Sequence, residues 1–285
     1  MSGAHEHPET EKSAELRSLA QAVADALPPT AEEIVLTGSV SRGVADEVSD
    51  IEMLIVTRDE PALEECFSLA AAAGLTDLGS WGPQGMPAKR VSGYRDGVPL
   101  ELIWWSRRHA RTAVDAIFAG DPSTTADALA NGVALRTSGL LAQWQDRLGH
   151  YPDELARTQI EDAALTWGGF AAAGLLTLLR EGERLALLER MVDDALRVLR
   201  IVFAVNRVWL PTSKRLPDRV APLTHKPERL AERIEEALTE ADPRRAVLAL
   251  TELQSEVVAL APAGPNVDRA RKWLSDAREI LVRAL

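Results

Sequence analysis

The chain has 285 residues, 46% apolar and 26% charged, a composition that suits folded domains and excludes a wholly disordered or collagen-like chain. Its net charge of −11, from 43 acids against 32 Lys and Arg, opposes binding to polyanions such as RNA or DNA. The one cysteine excludes an internal disulfide, and no apolar run reaches the roughly 20 residues that cross a bilayer.

The first ten residues, rich in His, Glu and Pro, lack the basic start and apolar stretch of a signal peptide. They read as a mobile tail, and a cytoplasmic location is expected. Leu16, Leu19, Val23 and Leu27 recur near helical spacing and predict a leading helix that ends before Pro28-Pro29. The apolar run Ile34 to Leu36 predicts a strand closing at Gly38, where a missing side chain lets backbone amides approach an anion, and Ser39 adds a hydroxyl. Arg42 serves either a phosphate or the nearby acids Asp46 and Glu47. Ser49 stands just ahead of the acids of the next strand.

Residues Val48 to Val56 predict a second strand, on which alternation sends Asp50, Glu52 and Leu54 to one side and Ile51, Met53 and Ile55 to the other. Two carboxylates about 4 Å apart repel by roughly 4 kcal/mol at an effective dielectric near 20, so a cation is expected between them. Magnesium suits oxygen ligands. Pro61 to Gly74 predicts a helix with Cys66 on its apolar side, a core position. Lys89 to Arg95, the turn Asp96-Gly97 and Val98 to Trp105 predict a hairpin that sets Glu101 in the apolar run Leu100 to Trp105. With that strand beside Val48 to Val56, Glu101 completes a three-carboxylate cluster with Asp50 and Glu52. Its role is either ligand of a second magnesium or the base that takes a hydroxyl proton.

From Arg107 onward no strand is predicted. Helices are expected near Arg107 to Phe118, Thr124 to Ala134, Gly139 to Leu148, Asp153 to Arg180, Glu183 to Val208, Pro227 to Thr239, Pro243 to Leu260 and Val267 to Ala284. The apolar run Trp167 to Leu179 reads as a buried helix. A boundary near His150-Tyr151-Pro152 gives an α+β architecture: a catalytic domain over 1–150 and an all-α helical bundle over 151–285, with a cleft between them as the default ligand site. Residues 1–150 carry 22 acids against 12 Lys and Arg, a net of −10, whereas 151–285 carry 21 against 20, a net of −1. The acidic catalytic half favours a cationic small-molecule acceptor.

Glu161 or Asp162 can face such an acceptor from the start of a helix, or lie on a solvated face. Trp81, Trp104, Trp105 and Trp167 stack on a base or line the acceptor site, or serve as packing. His5 and His7 lie in the tail, and His109, His150 and His225 form no zinc motif.

The pattern Gly38-Ser39, ten intervening residues, Asp50-Ile51-Glu52 and a later strand acid resembles the nucleotidyltransferase superfamily over roughly residues 30 to 105. Members include aminoglycoside and lincosamide antibiotic nucleotidyltransferases. The resemblance implies that Ser39 and its neighbouring amides bind a nucleoside triphosphate, ATP by preference. It also implies that Asp50 and Glu52 hold magnesium, two ions being expected, and that Glu101 is the third carboxylate. Glu52 stands where Asp is more usual. Asn206-Arg207-Val208-Trp209 followed by Ser213-Lys214 resembles the helix end and following Lys of streptomycin and spectinomycin adenylyltransferases, which implies phosphate contacts for Arg207 and Lys214. The tract Arg200 to Pro222 resembles helical domains attached to poorly characterised nucleotidyltransferases. An antibiotic hydroxyl is the leading acceptor. The rival readings are a nucleotidyltransferase toxin acting on RNA or protein, a nucleotide-binding regulator without turnover, and a purely structural protein.

Overall fold

The computed structural model describes residues 9–82, 86–121, 124–167, 179 and 182–284. The chain divides into two compact units, Met1–His150 and Tyr151–Leu285. The first is α+β, in the order α1 Glu11–Ala26, β1 Ala31–Thr37, α2 Gly38–Ser41, β2 Ile51–Thr57, α3 Leu63–Ala72, β3 Thr76–Ser80, β4 Lys89–Arg95, β5 Val98–Ser106, α4 Arg107–Phe118, α5 Thr125–Ala130, β6 Val133–Arg136 and α6 Leu140–Leu148. Its six strands form one mixed sheet in the order β3-β4-β5-β2-β1-β6. β2 and β5 run parallel, and the other neighbours are antiparallel. A parallel pair needs a crossover, which here runs through α3 and the β3–β4 edge.

One face of the sheet carries the core of this unit. Ile34 and Leu36 of β1, Ile51, Met53 and Ile55 of β2, and Leu100, Leu102 and Trp104 of β5 share a core with Leu16, Ala20 and Val23 of α1 and Cys66 and Ala70 of α3. Each fully buried aliphatic side chain there contributes about 1.5–3 kcal/mol. Burial pushes the Cys66 thiol up to about 12, so it is an inert core group. Thr10 caps α1 by accepting the Ser13 amide. The other end of α1 is closed by Arg136 of β6, whose guanidinium donates to the carbonyls of Ala24, Leu27, Pro28 and Ala31 at 2.7–3.0 Å.

That contact corrects the expectation of helix from Thr124 to Ala134 and of no strand beyond Arg107. The helix stops at Ala130, and Val133–Arg136 pairs with β1. Gly132 makes the approach possible, because a Cβ there would sit 2.7 Å from Val35 Cγ1. β2 also begins three residues later than the expected Val48, since Asp46 Oδ1 accepts the Ser49 hydroxyl and the Val48 amide in a turn. The Asp96-Gly97 hairpin forms as read, with φ of 54° and 79° at the two turn residues.

The second unit holds α7 Asp153–Ala164, a 3-10 turn Leu165–Trp167, α8 Arg184–Val205, α9 Leu216–Val220, α10 Leu230–Thr239, α11 Pro243–Leu260 and α12 Pro265–Ala284. Its own core includes Ile160, Trp167, Val198, Phe203, Leu253 and Val267. The helix expected over Asp153 to Arg180 gives way to the 3-10 turn at Leu165, and most of the rest, including Gly168 to Leu178 of the apolar run, lies outside the described residues. α8 ends at Val205 rather than Val208, because Arg207 takes a left-handed φ of 57°. Asp194, 2% exposed, accepts the Trp167 indole N–H at 2.8 Å and pairs with Arg190 at 2.9 Å. Burial raises its carboxyl above the usual range, against the pull of Arg190. Among the described residues no helix is long and apolar enough to cross a membrane.

Candidate active site

β1 ends at Thr37, and Gly38 opens the short α2 with φ 73°, a region that L side chains avoid. A Cβ at Gly38 would collide with Glu52 Oε2 and lie 3.1 Å from Glu52 Cδ. Glycine is therefore required twice, by its own backbone and by the carboxylate beside it. Behind α2, the loop is stitched to α1. Thr10 N donates to the Gly43 carbonyl at 3.0 Å, Thr10 Oγ1 to that of Ala45 at 2.8 Å, and the Ala45 amide to the buried Ser13 Oγ at 2.8 Å. Ser39 and Arg42 are half-buried on this turn.

The strand register sets the acids. Glu52 of β2 is the direct partner of Glu101 on the parallel β5, and on its other side it pairs with Thr37 of β1. Glu101 in turn pairs with Ser92 of β4, and Ser92 with Gly79 of β3. Residues in register share a face, so Thr37, Glu52, Glu101 and Ser92 form one polar row across four strands. Both acids are half-buried. Further along the same face Val35, Leu54, Val56 and Trp105 are buried, an apolar floor below the row. The row thus stands where a face packed in one half meets open surface in the other. His109 of α4 packs edge-on against Trp105 at 5.2 Å, and burial lowers its imidazole pKa against the opposing pull of Glu60.

Asp50 lies just ahead of β2 and is half-buried, with Ser49 beside it in the turn that Asp46 holds. Among the described residues no group of three or more His, Cys, Asp or Glu side chains stands arranged to hold a metal ion. The structure brings Glu52 and Glu101 together, and leaves Asp50 on the loop that leads into the same strand. Magnesium is commonly held by one or two carboxylates together with substrate phosphates and water, not by an all-protein cage. The oxygen donors of this row, with a glycine pressed on one of them, fit that mode.

In the second unit Arg207 pairs with Asp153 at 2.9 Å and donates to the Ala204 carbonyl at 2.7 Å, closing the end of α8. Lys214 is exposed. Tyr151 stacks on Trp209 at 4.4 Å, and its burial raises the phenol. Glu161 accepts the Asn266 amide at 2.8 Å and so caps α12. Asp162 is exposed on the same helix. Trp104, Trp105 and Trp167 are buried packing residues, and only Trp81 of the four named tryptophans is open, at 52%.

Sequence reasoning missed Thr37 and Ser92, whose place in the row depends on register, and Glu33. The last is wholly buried, and its carboxylate accepts the amides of Ser138, Leu140 and Leu141 at 2.6–3.3 Å at the start of α6. An apolar strand interrupted by a charge was the available signal.

A family model described as a domain of unknown function, DUF4037, matches residues 122–216, which begins downstream of the whole row. No curated protein matches the chain. A crystal structure of a nucleotidyltransferase-like protein from Exiguobacterium sibiricum resembles it at 10% identity, over 96% of this chain and 91% of that one, with a TM-score of 0.36. A complex of a CCA-adding enzyme with CTP does so at 13% identity, over 96% of this chain and 82% of that one, with a TM-score of 0.28. These are loose likenesses that fix no chemistry.

Proposed function

We propose that the protein is a magnesium-dependent nucleotidyltransferase that moves a nucleoside monophosphate, AMP from ATP, onto a hydroxyl of a small molecule and releases pyrophosphate. The observation that carries this reading is the in-register pair Glu52 and Glu101 on neighbouring parallel strands, with Gly38 against the Glu52 carboxylate. Two carboxylates about 5 Å apart repel by roughly 3 kcal/mol at an effective dielectric near 20, a cost that a bound cation offsets.

Asp50 and Glu52 would hold the magnesium, which when bound polarises the α-phosphate and neutralises charge on the leaving group. Glu101 takes the proton of the acceptor hydroxyl, whose oxygen attacks the α-phosphorus as the bond to pyrophosphate breaks. In the alternative role it is a ligand of a second ion. The Gly38 and Ser39 amides, the Ser39 and Ser49 hydroxyls and Arg42 meet the phosphates. Lys214 and Arg207 add positive charge, Arg207 only by exchanging Asp153 for a phosphate. In this scheme residues 1–150 are the catalytic domain and 151–285 the helical domain that helps bind substrate and nucleotide. The net of −10 over residues 1–150 favours an amine-bearing acceptor, an antibiotic foremost, within a cytoplasmic setting.

A pyrophosphate-release screen of the four nucleoside triphosphates against antibiotics and nucleosides tests the proposal. Release that requires magnesium and an acceptor, and that Asp50→Asn abolishes without changing the melting temperature, supports it. Full release by Asp50→Asn rejects the assignment.

A further inference from the structure

Next to the edge strand β3, β4 presents Arg90 on the face that carries the acids. It pairs with Ile103, two residues beyond Glu101 on β5, which sets it about 7–8 Å diagonally from Glu101 between Cα atoms. Nearby cations each face a carboxylate: Lys89 meets Glu60, Arg95 meets Asp96 and Arg107 meets Glu32. Arg90 instead lies over the Trp81 ring, 4.2 Å from its centroid. Its Nε is buried and has no hydrogen-bond partner among the described residues. The indole that carries it is 52% exposed.

A guanidinium resting over an aromatic ring loses little freedom on binding, and its planar fork keeps N–H donors in the geometry that matches an oxyanion. Buried donors without acceptors are costly, and a ligand oxygen would offset that cost. We propose that Arg90, seated on Trp81, binds an oxyanion of the molecule that occupies the acid face, either a phosphate of the nucleotide or a phosphate or carboxylate on the acceptor. The nucleotidyl-transfer reading supplies the source of that oxyanion; the site itself does not depend on it.

The test is calorimetric titration, in EDTA so that no metal contributes, of pyrophosphate, inorganic phosphate, acetate and ATP into wild type, Arg90→Gln, Arg90→Lys and Trp81→Phe. The wild type is expected to bind at least one of the four, with Arg90→Gln weaker by about tenfold or more, the worth of one charge-assisted hydrogen bond. Loss with ATP as well as pyrophosphate assigns Arg90 to the nucleotide. Loss with phosphate or acetate while ATP is unaffected assigns it to the acceptor. Equal affinities in wild type and Arg90→Gln, or no binding by the wild type, overturn the proposal. Should Arg90→Gln fail to fold, Arg90→Lys keeps the charge but not the fork: weaker binding supports the proposal and equal binding overturns it. Pyrophosphate release separates this inference from the catalytic one. Normal turnover and equal binding by Arg90→Gln end only the former, and Arg90-dependent binding without any release ends only the latter.

Discussion

Glu33 offers the sharpest quantitative test of how the acid face is built. Its side chain has no exposed surface, and it takes the backbone amides of Ser138, Leu140 and Leu141 and the hydroxyls of Thr137 and Ser138. It thereby caps α6, whose own N-cap residue is Gly139, with no side chain to do so. Glu33→Ala strands three amides, at about 1–3 kcal/mol each if all stay dry. Water reaching the frayed end of α6 reduces the total, and about 3–5 kcal/mol is expected, the usual cost of breaking a buried charged contact. For a unit of this size that corresponds to a fall of roughly 10 °C in melting temperature. Glu33→Gln keeps the volume and one acceptor oxygen, and should lose about half as much. Thermal unfolding followed by tryptophan fluorescence reads the change, because Trp144 on α6 is buried. A Glu33→Ala protein melting within about 2 °C of wild type would refute the capping role.

Two further outcomes bear on the site and the second unit. Gly38→Ala meets a left-handed φ and the Glu52 carboxylate. It should cost about 1–2 kcal/mol of stability while moving Glu52, so that pyrophosphate release falls by far more than the melting temperature implies; unchanged release would show that the close approach is idle. The Asp194 carboxyl is raised by burial, so its contribution to stability is complete below the ordinary carboxyl pKa near 3.8 and declines as pH rises through the raised folded value. Urea midpoints measured from pH 3.5 upward should show that decline in wild type and not in Asp194→Asn; parallel curves would contradict it.

The parts of the fold legible in the sequence are those with local causes. Asp96-Gly97 needs two left-handed residues and announces the hairpin, and the period of 2 in Ile51, Met53 and Ile55 announces β2. β6 was hidden because Val133–Arg136 is four residues long and reads equally as the continuation of a helix. Its strand character comes from β1 beside it and from the four carbonyls that Arg136 gathers, all more than 100 residues away. β3 was hidden in the same way, as a short polar edge of Thr76–Ser80 that only β4 makes a strand. At the site, Gly38 and the pairing of Glu52 with Glu101 follow from alternation and strand order. The uses of Glu161 and Arg207 do not, since a cap on α12 and an ion pair with Asp153 depend on how helices stack.

In the proposed scheme the Glu52 carboxylate, in its row with Glu101, binds a magnesium nucleotide. Calorimetric titration of ATP with and without magnesium into wild type and Glu52→Gln measures it directly. Expected is saturable binding that magnesium strengthens and that Glu52→Gln weakens by about tenfold or more without lowering the melting temperature. Binding that is indifferent to magnesium, or equal in the two proteins, would contradict it.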